Sequence, residues 1–160
     1  MCIDPTGTYA AVTDNLGRVL LVDCLHHSVL RMWKGTPPGL TTPLRALTLY
    51  IEGYRQAECA WLHAPAGKKE TTTSVQGGNA WSLHLAIYVP KRGLLEVWPL
   101  LRGDRVGILD VGPHGRLFNT ECSLGGTTFS TPHPSRCFFL SGTSQVLQEV
   151  VVYHQDWMNE

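Results

Sequence analysis

Cysteine and histidine come closest together at Cys24-Leu25-His26 and at Cys59-Ala60-Trp61-Leu62-His63. Thiolate and imidazole ligands for zinc come in paired sets of the Cys-x-x-Cys kind. Neither site has a matching second pair, so no metal is expected. The five cysteines, Cys2, Cys24, Cys59, Cys122 and Cys137, are odd in number and irregular in spacing, which argues against a disulfide framework. They read as small core hydrophobes, and His26-His27 as turn residues. Gly67-Lys68-Lys69 lacks the upstream glycine and the hydroxyl of a phosphate loop. No G-x-S-x-G elbow and no H-E-x-x-H occurs. Seven histidines and 13 carboxylates offer a chance triad, as any globular chain does, but no motif supports one. No catalytic, cofactor-binding or metal-binding residue is therefore nominated, and no cofactor is expected.

Arginine and tryptophan remain as residues that work at interfaces. Arg18, Arg92, Arg102, Arg105, Arg116 and Arg136 are scattered over turns with no companion motif. Trp33, Trp61, Trp81 and Trp98 are candidate contact residues, since tryptophan is enriched at interfaces. For Trp33 and Trp98, which close strands, packing between sheets is the favoured role.

The 160 residues carry 13 basic and 13 acidic side chains, with 43% hydrophobic and only 16% charged residues. That is a globular composition, large enough for a real core. Neutral charge argues against nucleic acid, which needs clustered lysine and arginine. Lys68-Lys69 and Lys91-Arg92 are short runs beside glycine or proline and read as solvated turns. No run approaches the roughly 18 apolar residues of a membrane span. Met1-Cys2-Ile3-Asp4-Pro5 lacks the basic and apolar regions of a secretory signal, so a cytoplasmic chain is the expectation.

The elements read as strands, giving an all-β fold. Asp4-Pro5-Thr6-Gly7 is a turn, Thr8 to Thr13 a strand, Asp14-Asn15-Leu16-Gly17 a turn. Arg18 to Asp23 is a continuous apolar run of the kind buried on both faces, and Val29 to Gly35 a third strand. The same grammar recurs later: strand Trp81 to Val89, turn Pro90 to Gly93, strand Leu94 to Trp98, and an alternating segment Asp104 to Val111. Gly17 aligns with Gly93, and five residues on each copy reaches one slot, Val22-Asp23 or Trp98-Pro99. A Gly-led strand ending in such a slot is the mark of a WD-type blade.

Blade-like units are thus expected at 1–35 and 81–111. A weak strand is expected near Arg116-Leu117-Phe118, with loop over the rest of 112–135. A C-terminal hairpin at 136–153 turns at Ser141-Gly142-Thr143-Ser144. Residues 64–79 read as loop. One short helix is expected from Pro43 to about Tyr54, capped by Thr42. The whole of 1–160 makes a single partial β-propeller region of two to three blades.

At Ala11 to Asp23, Arg31 to Gly35, Gly53 to Trp61, Ile87 to Trp98, Arg105-Val106-Gly107, Val111-Gly112 and Arg116-Leu117, the chain resembles the N-terminal region of a known family. It is that of the non-catalytic, regulatory subunit of the heterodimeric Rab GTPase-activating complex acting on Rab-three GTPases. The family pattern runs from the Met-Trp-Lys-Gly of 32–35 straight into the Tyr-Arg-x-Ala of 54–57, so residues 36–52 read as an insertion that places the helix outside the shared pattern. Family members are far longer, so the chain reads as a fragment.

The resemblance implies a scaffold that binds the catalytic subunit and reaches Rab GTPases through the complex. It also implies nucleotide exchange on a Rab of the endoplasmic reticulum, a peripheral place at that membrane, and a role in vesicle traffic. The arginine acting in trans belongs, by the same resemblance, to the other subunit. The rival reading is a generic WD-type protein-interaction module unrelated to Rab GTPases.

Overall fold

A computed structural model describes residues 1–34, 53–65, 81–100, 104–119 and 135–152. Among them there are eleven strands, β1 (Cys2–Ile3), β2 (Tyr9–Thr13), β3 (Arg18–Asp23), β4 (Ser28–Lys34), β5 (Glu58–Pro65), β6 (Trp81–Val89), β7 (Leu94–Pro99), β8 (Gly107–Asp110), β9 (Arg116–Asn119), β10 (Cys137–Leu140) and β11 (Leu147–Val150), and no helix. They form three antiparallel sheets: β1-β2-β3-β4, β5-β6-β7-β8 and β9-β10-β11. The fold is all-β, and the stacked sheets are compatible with part of a propeller.

The turns account for the repetition. Asp14 N–H donates to Arg18 O at 3.1 Å and Gly17 N–H to Asp14 O at 3.2 Å, closing β2 onto β3. Gly93 N–H donates to Pro90 O at 3.2 Å at the same place between β6 and β7. Gly17 and Gly93 have φ of 73° and 64°, where a Cβ is strained, and Gln145 takes φ 55° in the β10–β11 turn. Each glycine also reaches onward. Gly17 O accepts from Tyr54 N–H at 2.9 Å, four residues before β5 begins. Gly93 O accepts from Val111 N–H at 2.9 Å and Gly112 N–H at 3.0 Å, the latter four residues before β9 begins.

Two apolar layers hold the stack. Ala11, Val19, Leu21 and Trp33 of the first sheet pack with Trp61, Leu85, Ile87 and Val89 of the second. From the opposite face of that second sheet, Ala60, Leu62, Ala86, Tyr88, Leu95 and Val97 pack with Cys137, Phe139 and Val150 of the third. Successive strand residues point to opposite faces, so β6, in the middle sheet, is buried without a break from His84 to Val89. β3 instead alternates half-buried with buried residues, because only one of its faces meets another sheet. The double burial expected of Arg18 to Asp23 belongs to β6.

Other expectations change in detail. β1 and β5 each open a sheet and were not read as strands; β5 takes Ala64 and Pro65 out of the expected 64–79 loop, whose remaining residues lie outside those described. The expected helix falls on 43–52, also outside them, and Gly53 to Gln56 form a turn. β9 forms where a weak strand was expected, while β11 stops at Val150. The Pro-rich stretch and the rest of 36–52 are not among the described residues.

Candidate interaction site

Where β4, the outer strand of the first sheet, faces β7, an inner strand of the second, alternate residues bring four side chains to one seam: Arg31 and Trp33 from β4, Glu96 and Trp98 from β7. The pairing Val19↔Trp33 and Leu21↔Arg31 puts the first two on the inner face of their sheet. The pairing Ile87↔Glu96 and Leu85↔Trp98 does the same opposite. The Trp33 and Trp98 rings meet edge to face with centroids 5.9 Å apart. The Arg31 guanidinium lies 4.8 Å from one centroid and 4.7 Å from the other, a cation between two π faces. Partial burial lowers the Arg31 pKa.

Glu96 is the centre of the seam, 1% exposed. A buried carboxylate persists only when its oxygens are satisfied. Here Tyr54 O–H donates to Oε2 at 2.8 Å and Trp98 Nε1–H at 3.1 Å. Arg105 reaches Oε1 at 3.4 Å and Arg92 at 3.8 Å. Tyr54 is raised well above the ordinary phenol range by burial and then by the Glu96 charge, so it stays a donor. Trp33 Nε1 is buried with no hydrogen-bond partner. Glu96 thus ties three segments, the turn at Tyr54, the β6–β7 turn at Arg92 and the approach to β8 at Arg105, to its own strand β7, which is the chemistry of a lock.

A second feature lies where the first strands of the three sheets converge, a cavity of about 510 Å³ lined by Met1, Cys2, Ala11, Thr13, Ala57, Glu58, Cys59, Arg116, Leu117 and Phe118. Glu58 bridges β5 to β9 by accepting from Arg116 Nη1 at 2.5 Å and from Leu117 N–H at 2.8 Å. Trp61 Nε1–H donates to Cys2 O at 3.2 Å, bridging β5 to β1. The Cys59 thiol is pushed up to about 12 by burial, and Cys137 to about 12 for the same reason. Neither presents a thiolate near neutrality.

The residues weighed from sequence fall as follows. Trp33 and Trp61 are buried, Trp98 half-buried in the seam, and Trp81 exposed. Arg18 pairs with Asp14 at 2.6 Å, Arg116 with Glu58, and Arg136 with Glu149 at 2.6 Å. Arg102 lies outside the described residues. Arg92 and Arg105, read as scattered, converge on Glu96. No group of three metal-ligating side chains exists among the described residues. His26 instead holds Asp23, Nδ1 to Oδ2 at 2.9 Å. Sequence reasoning missed Glu96 and Tyr54; the available signal was one carboxylate inside the apolar strand Leu94-Leu95-Glu96-Val97-Trp98.

A family profile described as Rab3 GTPase-activating protein regulatory subunit N-terminus matches residues 1–36 and 45–118. The gap at 37–44 falls inside the 36–52 stretch. A Rab3 GTPase-activating protein regulatory subunit of Caenorhabditis elegans is 30% identical over 102 residues, 64% of this chain. The match spans 6% of that relative's length. No solved structure shows a significant match to the chain.

Proposed function

Because the chain belongs to the family of Rab3 GTPase-activating protein regulatory subunit N-termini, we propose that it is a non-catalytic scaffold that binds the catalytic partner of such a complex. Through that partner it acts on Rab GTPases in vesicle traffic, in GTP hydrolysis and in nucleotide exchange, in the cytoplasm and at the periphery of endoplasmic reticulum membranes. The family match, running through the first two sheets and into the third, is the observation that carries the reading. No helix among the described residues is long and apolar enough to cross a membrane.

Five of the described arginines support a regulatory role. An arginine finger must reach transition-state charge from a preorganised loop, and is worth about 10³–10⁵ in rate. Arg18, Arg92, Arg105, Arg116 and Arg136 are all held by carboxylates of this chain. Withdrawing Arg92 or Arg105 would leave the buried Glu96 short of countercharge.

The test is a pull-down of the catalytic subunit by the chain with and without residues 36–52, run beside single-turnover GTP hydrolysis by Rab3. Capture by both versions, with no acceleration by the chain alone, is expected. Failure of both to capture the catalytic subunit overturns the scaffold reading. Acceleration above tenfold by the chain alone, abolished by one Arg→Ala change, overturns the non-catalytic reading.

A further inference from the structure

A reciprocal pair of hydrogen bonds fastens the entry of the third sheet to the second. His63 N–H, on β5, donates to Ser135 O at 2.9 Å. Ser135 N–H donates back to the His63 ring, reaching Nδ1 at 2.9 Å. Ser135 is 1% exposed and stands two residues before β10, the central strand of the third sheet. A buried backbone N–H needs an acceptor, and here the acceptor is a ring that titrates.

The bond fixes where the proton sits. A ring nitrogen accepts only when it carries no hydrogen, so Nδ1 is bare, the ring is neutral and its hydrogen is on Nε2. Charging the ring places a hydrogen on Nδ1 that faces the Ser135 N–H, leaving two donors and no acceptor. The register sets His63 opposite Leu83, with Trp61 and Leu85 next along the same face, and puts His84 on the other face, opposite Leu62. The carboxylates on the surrounding elements have donors of their own. Asp4, just after β1, accepts from Tyr9 and Thr6 N–H; Glu58, at the start of β5, from Arg116 and Leu117 N–H; and Glu149 of β11 from Arg136. The layer joining Ala60, Leu62 and Tyr88 to Cys137, Phe139 and Val150 is apolar and does not respond to acid.

We propose that this pair of bonds is a proton-sensitive latch. With His63 neutral, the chain entering β10 is fastened to β5. When Nδ1 takes a proton from solvent, Ser135 is released while the two sheets stay stacked. The released ring binds its proton near the ordinary histidine value of about 6.5, and the fastened ring does not. Release is therefore suppressed above that pH and grows about tenfold for each pH unit below it.

Nitrogen-15 spectra of the ring in the 160-residue chain read which nitrogen carries the hydrogen, and a bare Nδ1 is expected above neutrality. Amide hydrogen exchange, corrected for its intrinsic pH dependence, then follows Ser135 on acidification. Its protection is expected to fall about tenfold per pH unit below about 6. It should stay flat in His63→Asn, whose Oδ1 is an acceptor that does not titrate. Phe139, within β10, is expected to stay protected throughout. A hydrogen on Nδ1 above neutrality, or a ring that charges at about 6.5 or higher, overturns the latch. So does a loss of Ser135 protection that His63→Asn shares, or one that Phe139 follows. The ring spectra need no variant, so they decide the matter even where His63→Asn fails to fold.

Discussion

Replacing Glu96 by alanine tests whether the seam is a lock. The carboxylate accepts from Tyr54 and Trp98 on one oxygen and faces Arg105 and Arg92 on the other. Hydrogen bonds to a charged group are worth about 1.5–3 kcal/mol each. The two arginines are partly exposed and regain water, so they add about 0–1 kcal/mol each. Removing one partner of a buried ion pair costs about 3–5 kcal/mol, and the orphaned Tyr54 hydroxyl puts Glu96→Ala in that range. Glu96→Gln keeps the acceptor for Tyr54 and Trp98 while removing the charge, so about half the loss is expected. Urea unfolding followed by tryptophan fluorescence measures both. A cycle with Tyr54→Phe should return a coupling of about 1–2 kcal/mol, since the two residues touch. A Glu96→Ala loss below about 1 kcal/mol, or additivity with Tyr54→Phe, would refute the lock.

Other outcomes follow from the same geometry. Gly93→Ala should destabilise more than Gly7→Ala in thermal melts: both sit at positive φ, worth about 1–2 kcal/mol, but at Gly93 a Cβ would also lie 2.9 Å from the Gly112 carbonyl carbon, while at Gly7 nothing lies within 4 Å. Tyr88→Phe should cost about 1–3 kcal/mol in urea titration, because its hydroxyl donates to Gly112 O and accepts from Gly115 N–H, both at 2.9 Å. On the alkaline side, Cys59 and Cys137 are raised from 9.0 to about 12, so the stability they contribute is complete below pH 9 and falls as pH climbs toward 12. The melting temperature should drop over that window, and Cys59→Ala with Cys137→Ala should flatten the fall. On the acid side, Asp14 and Asp23 lie below their ordinary 3.8 through bonds to Arg18 and His26, and Glu149 below 4.5 through Arg136. Their contribution is complete above those values and is lost as pH falls beneath them, which acid titration of ellipticity would show.

What turns and strand composition express was legible from local chemistry. The equivalence of Gly17 and Gly93 was legible because a two-strand turn needs a residue tolerant of positive φ, and only spacing had to be counted. The β10–β11 turn hides the same device behind Gln145, which carries no such signal. β5 escaped because Glu58 to Pro65 mixes small, aromatic and polar residues without alternation, and its burial on both faces comes from position in the stack. The Glu96 seam escaped for a related reason: Tyr54, Arg92, Glu96 and Arg105 lie up to 51 residues apart, and only the folding of the second sheet and of the turn that precedes β5 makes them neighbours.

The onward hydrogen bonds from Gly17 O and Gly93 O carry a consequence for how such chains vary. A backbone carbonyl in a rigid hairpin pins the approaching strand at a set distance from its start, so the angular step from one sheet to the next is indexed by the hairpin. Segments of very different size can then be spliced between neighbouring sheets while the pitch of the stack stays constant.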